Sequence, residues 1–360
     1  MTNYLKDQKI LIGITGGIAA YKILELIRRL REQGALVKTI LTNSSKQFIT
    51  PLSVHALSGE PACDDAMQHI ELARWADIFL IAPATANFIA KAAHGLADDL
   101  LSSTYLATSA KVLLAPAMNQ QMWQHPGTQE NLHLLKTKHN ITIVGPAVGS
   151  QACGEYGPGR MVEPEELLSA INTNLMPKIL SGKNIIITAG PTREALDPVR
   201  YLSNHSSGKM GYALARAAQQ LGAKVTLISG PTNLTPAPGI QLLACITAAD
   251  MYNYVMQELD KNATDIFIGC AAVADYRPVI TATQKLKKSR ENFTLEFEPT
   301  ADILAAVAKS PSRPLTIGFA AETEDLLGNA QQKLQYKNLD LIIANSVTAG
   351  STFGEDFNEV

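Results

Sequence analysis

Several short stretches of this sequence carry side chains whose types and spacing could do chemistry. GITGGIAAYK (13–22) sets Gly16 and Gly17 between an apolar run and a helix-period segment. Free backbone N–H groups at such a turn can face an anion such as a phosphate, although glycines there also serve packing alone. The stretch is not G-x-G-x-x-G. His69 begins the helical stretch of QHIELARWAD, and none of the seven histidines shows the HExxH or paired spacing of a zinc site. It is therefore either a structural imidazole or a proton carrier. PAMNQQMW (116–123) follows a strand and is expected to place Met118, Asn119, Met122 and Trp123 in a loop, where they need either the core or a ligand to pack on. ACGEYGPGRM (152–161) surrounds Cys153 with three glycines and Pro158, which predicts a mobile flap. Its thiol is either an acid or an ordinary surface cysteine.

The second half offers a different set. Asp275 is predicted to end a strand in AAVADYRP, Lys285, Lys287 and Lys288 follow in QKLKK, and Lys333 and Lys337 share one helix face at i, i+4. Two ammonium groups so placed repel unless they are solvated or neutralised by an anion. A solvated surface accounts for them. So does a nucleoside triphosphate site, with a carboxylate for a metal and ammonium groups for phosphates. SSGK (206–209) is not a Walker A loop, because Met210 follows the lysine and the earlier glycine is missing.

The elements that must position these residues alternate short β-branched runs with helix-period segments, which predicts parallel sheets with crossover helices. KILIGIT (9–15), ALVKTILT (35–42), ADIFLIAP (76–83), KVLLAP (111–116) and ITIVGP (141–146) read as strands, and residues 18–34 as a helix closed by Gly34. The pattern restarts with NIIITAGP (184–191), a helix over 211–222, AKVTLISGP (223–231), TDIFIGCAAVADY (264–276), LTIGFAAET (315–323) and LDLIIANS (339–346). Gly34 and Asp77 stand 43 residues apart, as do Gly222 and Asp265, so two Rossmann-like units are predicted in tandem. The natural junction is NLMPKILSGK (174–183), giving domains of 1–178 and 179–360. The second unit adds TREALDPVRYLSNHSSGKM after its first strand, at the sheet end where such folds bind ligands.

Composition narrows the function classes. The 360 residues suit two domains, and 46% hydrophobic content suffices for two cores. With 31 Lys+Arg against 33 Asp+Glu, there is no charge field to recruit nucleic acid or an anionic membrane. Four cysteines without CxxC spacing point to free thiols in a reducing compartment. No signal segment or run of 18 apolar residues occurs, so a cytoplasmic location is expected.

Taken together, GGIAAYK, HIELARWAD, PATANFIAK, PAMNQQMW and ACGEYGPGRM, then ITAGPTREALDPVRYLSNHSSGKMG, AAVADYRP, the KLKK lysines and GFAAET, closely resemble the bifunctional flavoproteins of coenzyme A biosynthesis. In that family phosphopantothenoylcysteine decarboxylase is fused to phosphopantothenate–cysteine ligase, and the likeness covers nearly the whole chain. It implies an α/β architecture with mainly parallel sheets: a flavodoxin-like domain binding FMN, followed by a Rossmann-like ligase domain. Gly16, Gly17, Thr42 and Ser44 are then expected at the FMN phosphate and Asn87 at the flavin. By the same likeness FMN oxidises the substrate thiol to a thioaldehyde, which accepts the electrons released with CO2 as an enethiolate. His69 is carried over as the base, Asn119 as the group holding the substrate carboxylate, and Cys153 as the proton donor that completes re-reduction.

For the ligase half the resemblance implies activation of 4′-phosphopantothenate by CTP and Mg2+ as an acyl cytidylate, with release of pyrophosphate. The amine of L-cysteine then displaces CMP, and the resulting 4′-phosphopantothenoylcysteine feeds the decarboxylase. Asn204 is expected to bind the acyl intermediate, Asp275 the metal or nucleotide, Lys285 the phosphates during activation, and Lys333 with Lys337 the triphosphate. Ala301, Asp302, Ile303 and Phe319 are expected at the nucleotide. The likeness also implies a homo-oligomer, a trimer-based dodecamer. The sequence stops at STFGEDFNEV, where family members continue, so the ligase half is expected to be shortened. Two other classes fit less well. Flavin-binding regulatory proteins would not need His69, Cys153 and a ligase half together, and nicotinamide dehydrogenases would need G-x-G-x-x-G.

Overall fold

The computed structural model of the chain describes residues 4–139, 141–261, 263–287, 294–322 and 324–346. Lys288 and the segment after Ser346 lie outside them. The chain forms two compact units, Met1–Met176 and Pro177–Val360.

In the first unit the elements are β1 (Lys9–Ile14), α1 (Tyr21–Glu32), β2 (Leu36–Leu41), α2 (Pro51–Ser58), α3 (His69–Trp75), β3 (Ile78–Ala84), α4 (Ala86–His94), α5 (Leu100–Ala107), β4 (Lys111–Pro116), α6 (Gln120–Gln124), α7 (Pro126–Lys138), β5 (Thr142–Ile143), β6 (Ala147–Ser150), β7 (Tyr156–Arg160) and α8 (Pro164–Leu175). The main sheet runs β2-β1-β3-β4-β5 with every pairing parallel. That is the flavodoxin-like strand order, which reverses between β1 and β3. Side chains alternate across a strand. Ile10, Ile12 and Ile14 therefore pack in one core with Ile23, Leu26 and Leu30 of α1, while Leu11 joins Phe79 and Phe88 in the other. All of β3 is buried, as a strand covered on both faces must be.

The second unit comprises β8 (Asn184–Ala189), β9 (Glu194–Ala195), β10 (Tyr201–Leu202), α9 (Lys209–Gln220), β11 (Lys224–Ser229), β12 (Gln241–Ala244), α10 (Ala248–Lys261), β13 (Ile266–Gly269), β14 (Tyr276–Pro278), β15 (Phe297–Pro299), α11 (Ile303–Ala308), β16 (Leu315–Glu322), α12 (Leu326–Tyr336) and β17 (Leu341–Ser346). Its sheet runs β12-β11-β8-β13-β16-β17, again all parallel. Counted within the unit this is the 3-2-1-4-5-6 order of the Rossmann fold, with the reversal between β8 and β13. Gly211 allows α9 to lie against β8: a Cβ there would come within 2.5 Å of Ala189 Cβ.

Three expectations are corrected. Strand β13 stops at Gly269 instead of reaching Tyr276, because the amides beyond it turn to partners outside the ladder. Ala271 N donates to Thr188 Oγ1, Ala272 N to Gly190 O and Ala274 N to Thr192 Oγ1. Asp275 therefore does not end β13 but sits on the connecting segment, directly before β14. Met122 and Trp123 lie on the short helix α6 and not in a loop, since Asn119 Oδ1 accepts from Gln121 N and caps the turn. Within residues 152–161 the exposed turn bearing Cys153 is irregular, but from Tyr156 to Arg160 the segment is strand β7, paired antiparallel with β6.

Candidate functional site

In the first unit the strand-order reversal lies between the carboxyl ends of β1 and β3, and the sequence puts hydroxyls at both. Thr15 Oγ1 donates to Pro83 O (2.7 Å) and accepts from Thr85 N (3.1 Å), joining the two strand ends. A cavity of about 620 Å³ opens there, lined by Gly16, Thr42, Ser44, Thr85, Asn87 and Lys91 among others. Its size suits a cofactor. A Cβ on Gly16 would lie 2.4 Å from Ser44 Cβ, so only glycine lets the two turns meet. On the facing turn Thr42 lines the cavity while its Oγ1 donates to Ile14 O at 3.3 Å. Among the described residues the amides of Gly16 and Gly17 make no backbone hydrogen bond, and the Ser44 hydroxyl stands on the turn opposite them. These donors fit a phosphate monoester. Four of the five expected flavin-site residues line this cavity. Gly17 does not: it begins the helical turn at Ile18–Ala20.

His69 is the first residue of α3 and is outside the cavity lining. Its Nδ1 lies 2.8 Å from Ala66 O, and Ala66 lines the cavity. Because a carbonyl only accepts, Nδ1 carries the proton of the neutral ring and Nε2 is its basic nitrogen.

Asn119 and Cys153 form a second cluster. Asn119 Nδ2 is 3.4 Å from Cys153 Sγ, 3.4 Å from Gln151 Oε1 and 2.7 Å from Glu155 Oε2. Helix α6 links the cluster to the cavity, since Asn119 caps it and Met122 on it lines the cavity wall. Two of the three glycines of this motif, Gly157 and Gly159, serve close approach. A Cβ on Gly157 would meet Gln120 Oε1 at 2.0 Å, and one on Gly159, at φ +126°, would meet Met118 O at 2.3 Å. Sequence reading assigned nothing to Gln151 or Glu155, although both lie in or beside the glycine-rich motif.

In the second unit a cavity of about 1300 Å³ lies at the β8/β13 reversal. Asp275, Ala301, Asp302, Ile303, Phe319, Lys333 and Lys337 all line it, together with Ser206–Gly211 at the start of α9. Residues from Ser206 to Lys337 thus face one space. Lys337 Nζ pairs with Asp302 Oδ2 at 2.9 Å, and Lys333 Nζ donates to Phe319 O at 2.7 Å. Burial, and then the neighbouring charge of Lys337, lowers the pKa of Lys333 from its usual range. Cys270 also lines the cavity, but burial pushes its thiol up to about 12, so it is no nucleophile near neutrality.

Asn204 and Lys285 are not brought into this lining. Asn204 Nδ2 donates to Ala272 O and its Oδ1 accepts from Ser206 N (3.2 Å), so the side chain fastens the cavity wall. Lys285 is exposed. Its neighbour Leu286 is held by the buried Asp197 carboxylate, which accepts from the amides of Val199, Arg200 and Leu286 and from the Arg200 guanidinium. Burial works to raise the pKa of Asp197, but these donors outweigh it and hold the carboxyl well below the usual range. No group of three or more His, Cys, Asp or Glu side chains suited to a metal occurs among the described residues. Asp275 is one carboxylate at the cavity. That fits Mg2+, which binds through one or two carboxylates and substrate phosphates. No described helix is long and apolar enough to cross a membrane.

Residues 2–176 match the Flavoprotein family, and residues 180–360 match the DNA/pantothenate metabolism flavoprotein C-terminal domain. The chain is 54% identical over 366 residues to the coenzyme A biosynthesis bifunctional protein CoaBC of Vibrio cholerae serotype O1, covering 98% of this chain and 91% of that protein. The protein of the same name from Vibrio parahaemolyticus is 52% identical over 365 residues, covering 98% and 90%. That of Escherichia coli K12 is 49% identical over 357 residues, covering 96% and 87%.

Proposed function

Since the chain belongs to the family of bifunctional coenzyme A biosynthesis proteins, a flavoprotein half joined to a pantothenate-metabolism half, we propose that its two cavities divide the two chemistries between them. The protein is an enzyme of coenzyme A biosynthesis with phosphopantothenoylcysteine decarboxylase and phosphopantothenate–cysteine ligase activities. Residues 1–178 carry the first and 179–360 the second. The observation that supports this division is that the expected flavin residues other than Gly17 gather at one strand-order reversal and the expected nucleotide residues other than Lys285 at the other.

In the decarboxylase half, Gly16, Thr42 and Ser44 hold the phosphate of FMN, with Gly17 beside them, and Asn87 lies at its ring. When bound, FMN would supply two-electron redox chemistry, a sink for the electron pair of the substrate thiol and a source of a pair for the final reduction. His69 Nε2 takes the thiol proton, which lets the sulfur become a thiocarbonyl. A carboxylate sheds CO2 only when its electron pair has an acceptor, and the adjacent thiocarbonyl is that acceptor. Asn119 orients the carboxylate with a neutral donor, and Cys153 Sγ–H protonates the carbon at the end.

In the ligase half an unactivated carboxylate is too poor an electrophile for an amine, so CTP converts 4′-phosphopantothenate to an acyl cytidylate. Lys333 and Lys337 hold the triphosphate and Asp275 supports Mg2+. The wall formed by Ala301, Asp302, Ile303 and Phe319 takes the nucleoside. Asn204 acts through the wall it fastens, and Lys285 reaches the phosphates from the segment that Asp197 anchors. The enzyme acts in the cytoplasm as a homo-oligomer, a state that native mass measurement reads directly. Incubation with 4′-phosphopantothenate, L-cysteine, CTP and Mg2+ should yield 4′-phosphopantetheine, CO2 and pyrophosphate. Accumulation of 4′-phosphopantothenoylcysteine without phosphopantetheine on flavin-loaded protein would overturn the decarboxylase assignment. Conversion of added phosphopantothenoylcysteine to phosphopantetheine, with no pyrophosphate from the full mixture, would overturn the ligase assignment.

A further inference from the structure

Glu155, near the turn of the β6/β7 hairpin, holds the donors that the proposed reaction needs. Its Oε2 accepts from Asn119 Nδ2 at 2.7 Å and from Gln120 Nε2 at 3.1 Å. Asn119 is held in this orientation because its Oδ1 accepts from Gln121 N at 2.8 Å as the cap of α6, and its Nδ2 has only longer contacts besides Glu155, 3.4 Å to Gln151 Oε1 and to Cys153 Sγ. Two neutral amides thus converge on one carboxylate oxygen. A carboxylate site built from amide donors is what a substrate about to lose CO2 requires, since a cation there would stabilise the ground-state charge.

We infer that Glu155 is an internal stand-in for the substrate carboxylate: it occupies the Asn119–Gln120 amide pair while the site is empty and leaves when substrate enters. This rests on the reading of Asn119 as the carboxylate-holding group. Two carboxylates on one pair of donors repel each other, so both cannot be bound together. Departure is easy on geometric grounds. Glu155 is exposed and can be solvated by water, and Gly154 before it, at φ +85°, has nothing within 4 Å of where a Cβ would stand. Once CO2 has gone, the product has no group to compete with, and Glu155 returns to the amides.

The test compares Glu155→Ala and Glu155→Gln holoenzymes with wild type. Glu155→Ala should lower KM for 4′-phosphopantothenoylcysteine about tenfold, equivalent to about 1.4 kcal/mol, and Glu155→Gln should lower it less, since a neutral acceptor competes more weakly. Inhibition by 4′-phosphopantetheine, which lacks the carboxylate, should not tighten in either variant. An unchanged or raised KM in both variants would overturn the inference. So would equal tightening of substrate and product, which would indicate a site merely opened. Asn119→Ala, measured in parallel, should raise KM and abolish the gain from Glu155→Ala. If Asn119→Ala leaves KM unchanged, the reading of Asn119 fails and the inference with it. If it raises KM while Glu155→Ala does not lower it, the stand-in role alone fails.

Discussion

Asn119 Nδ2 lies 3.4 Å from Cys153 Sγ although 34 residues separate the two in sequence. Two independent devices bring them together. The cap that Asn119 makes on α6 fixes its amide, and the glycines at 157 and 159 let the hairpin bearing Cys153 close onto residues 118–120. Met118 N donates to Gly159 O at 2.9 Å, which ties the two together through backbone.

The roles of His69 and Cys153 separate in a single-turnover experiment. Cys153→Ser should let the substrate bleach the bound flavin and lose CO2, and then stall with the flavin colourless for want of a proton donor. His69→Asn should leave the visible spectrum unbleached. Stopped-flow absorbance with CO2 detection reads both, and normal turnover by both variants would refute the assignment.

Gly159→Ala should break the Asn119–Cys153 approach without touching either residue. The new methyl would sit 2.3 Å from Met118 O in a backbone conformation that side chains seldom adopt, a strain of about 1–3 kcal/mol. Decarboxylation should fall sharply while CTP-dependent pyrophosphate release, which belongs to the other unit, persists. Assaying both activities on one preparation checks this.

The two glycines of the first turn should differ. Gly16→Ala places a methyl 2.4 Å from Ser44 Cβ and 3.1 Å from its carbonyl carbon, whereas the nearest atom to a methyl on Gly17 is 3.8 Å away and its backbone is extended. Fluorescence titration of apoprotein with FMN should show about a tenfold or greater loss for Gly16→Ala, the scale of an overpacking cost of 1–3 kcal/mol, and little change for Gly17→Ala.

Lys333 gives the ligase a pH signature. Its pKa is lowered, chiefly by burial, so its charge and hold on a triphosphate are complete at low pH and fade as pH rises through the lowered value. CTP affinity should fall with rising pH over a range below the usual lysine pKa, and Lys333→Met should flatten that slope. In the ligand-free protein the sign is opposite. The unfolded chain binds the proton more tightly, so this group makes stability rise with pH between the folded and unfolded values. Calorimetric titration with CTP and thermal melts across pH test the two halves of the statement.

Asp197 acts in the other direction. Its folded pKa is depressed, so its contribution to stability is complete above the unfolded value of about 3.9 and is lost as pH falls toward the folded value. Asp197→Asn should lower the melting temperature at neutral pH, reduce the acid-side slope and release the segment bearing Lys285. Its ligase activity should drop more than its decarboxylase activity.

Much of the architecture is written in local pattern. The equal 43-residue spacings reflect equivalent joints. Asp77 Oδ2 accepts from Lys9 N at 2.9 Å and Asp265 Oδ2 from Asn184 N at 2.8 Å, each fastening the start of its unit's first strand, and Gly34 and Gly222 both have positive φ. Other elements left weak signals. Strand β12 is a mostly exposed edge strand of only four residues, Gln241–Ala244, and β13 ends where its amides find loop partners that periodicity cannot report.

By itself the sequence determined the two α/β units, the turns that follow their first strands and the side chains able to do chemistry, because burial period and turn stereochemistry are properties of neighbouring residues. Which of those side chains meet was decided only by tertiary structure. Lys333, Lys337 and Asp302 share a cavity, Lys285 and Asn204 stand outside it, and the unassigned Glu155 occupies the amides of Asn119 and Gln120. Such distances depend on how strand order and helix packing fold remote segments together, and no residue's immediate neighbours encode that.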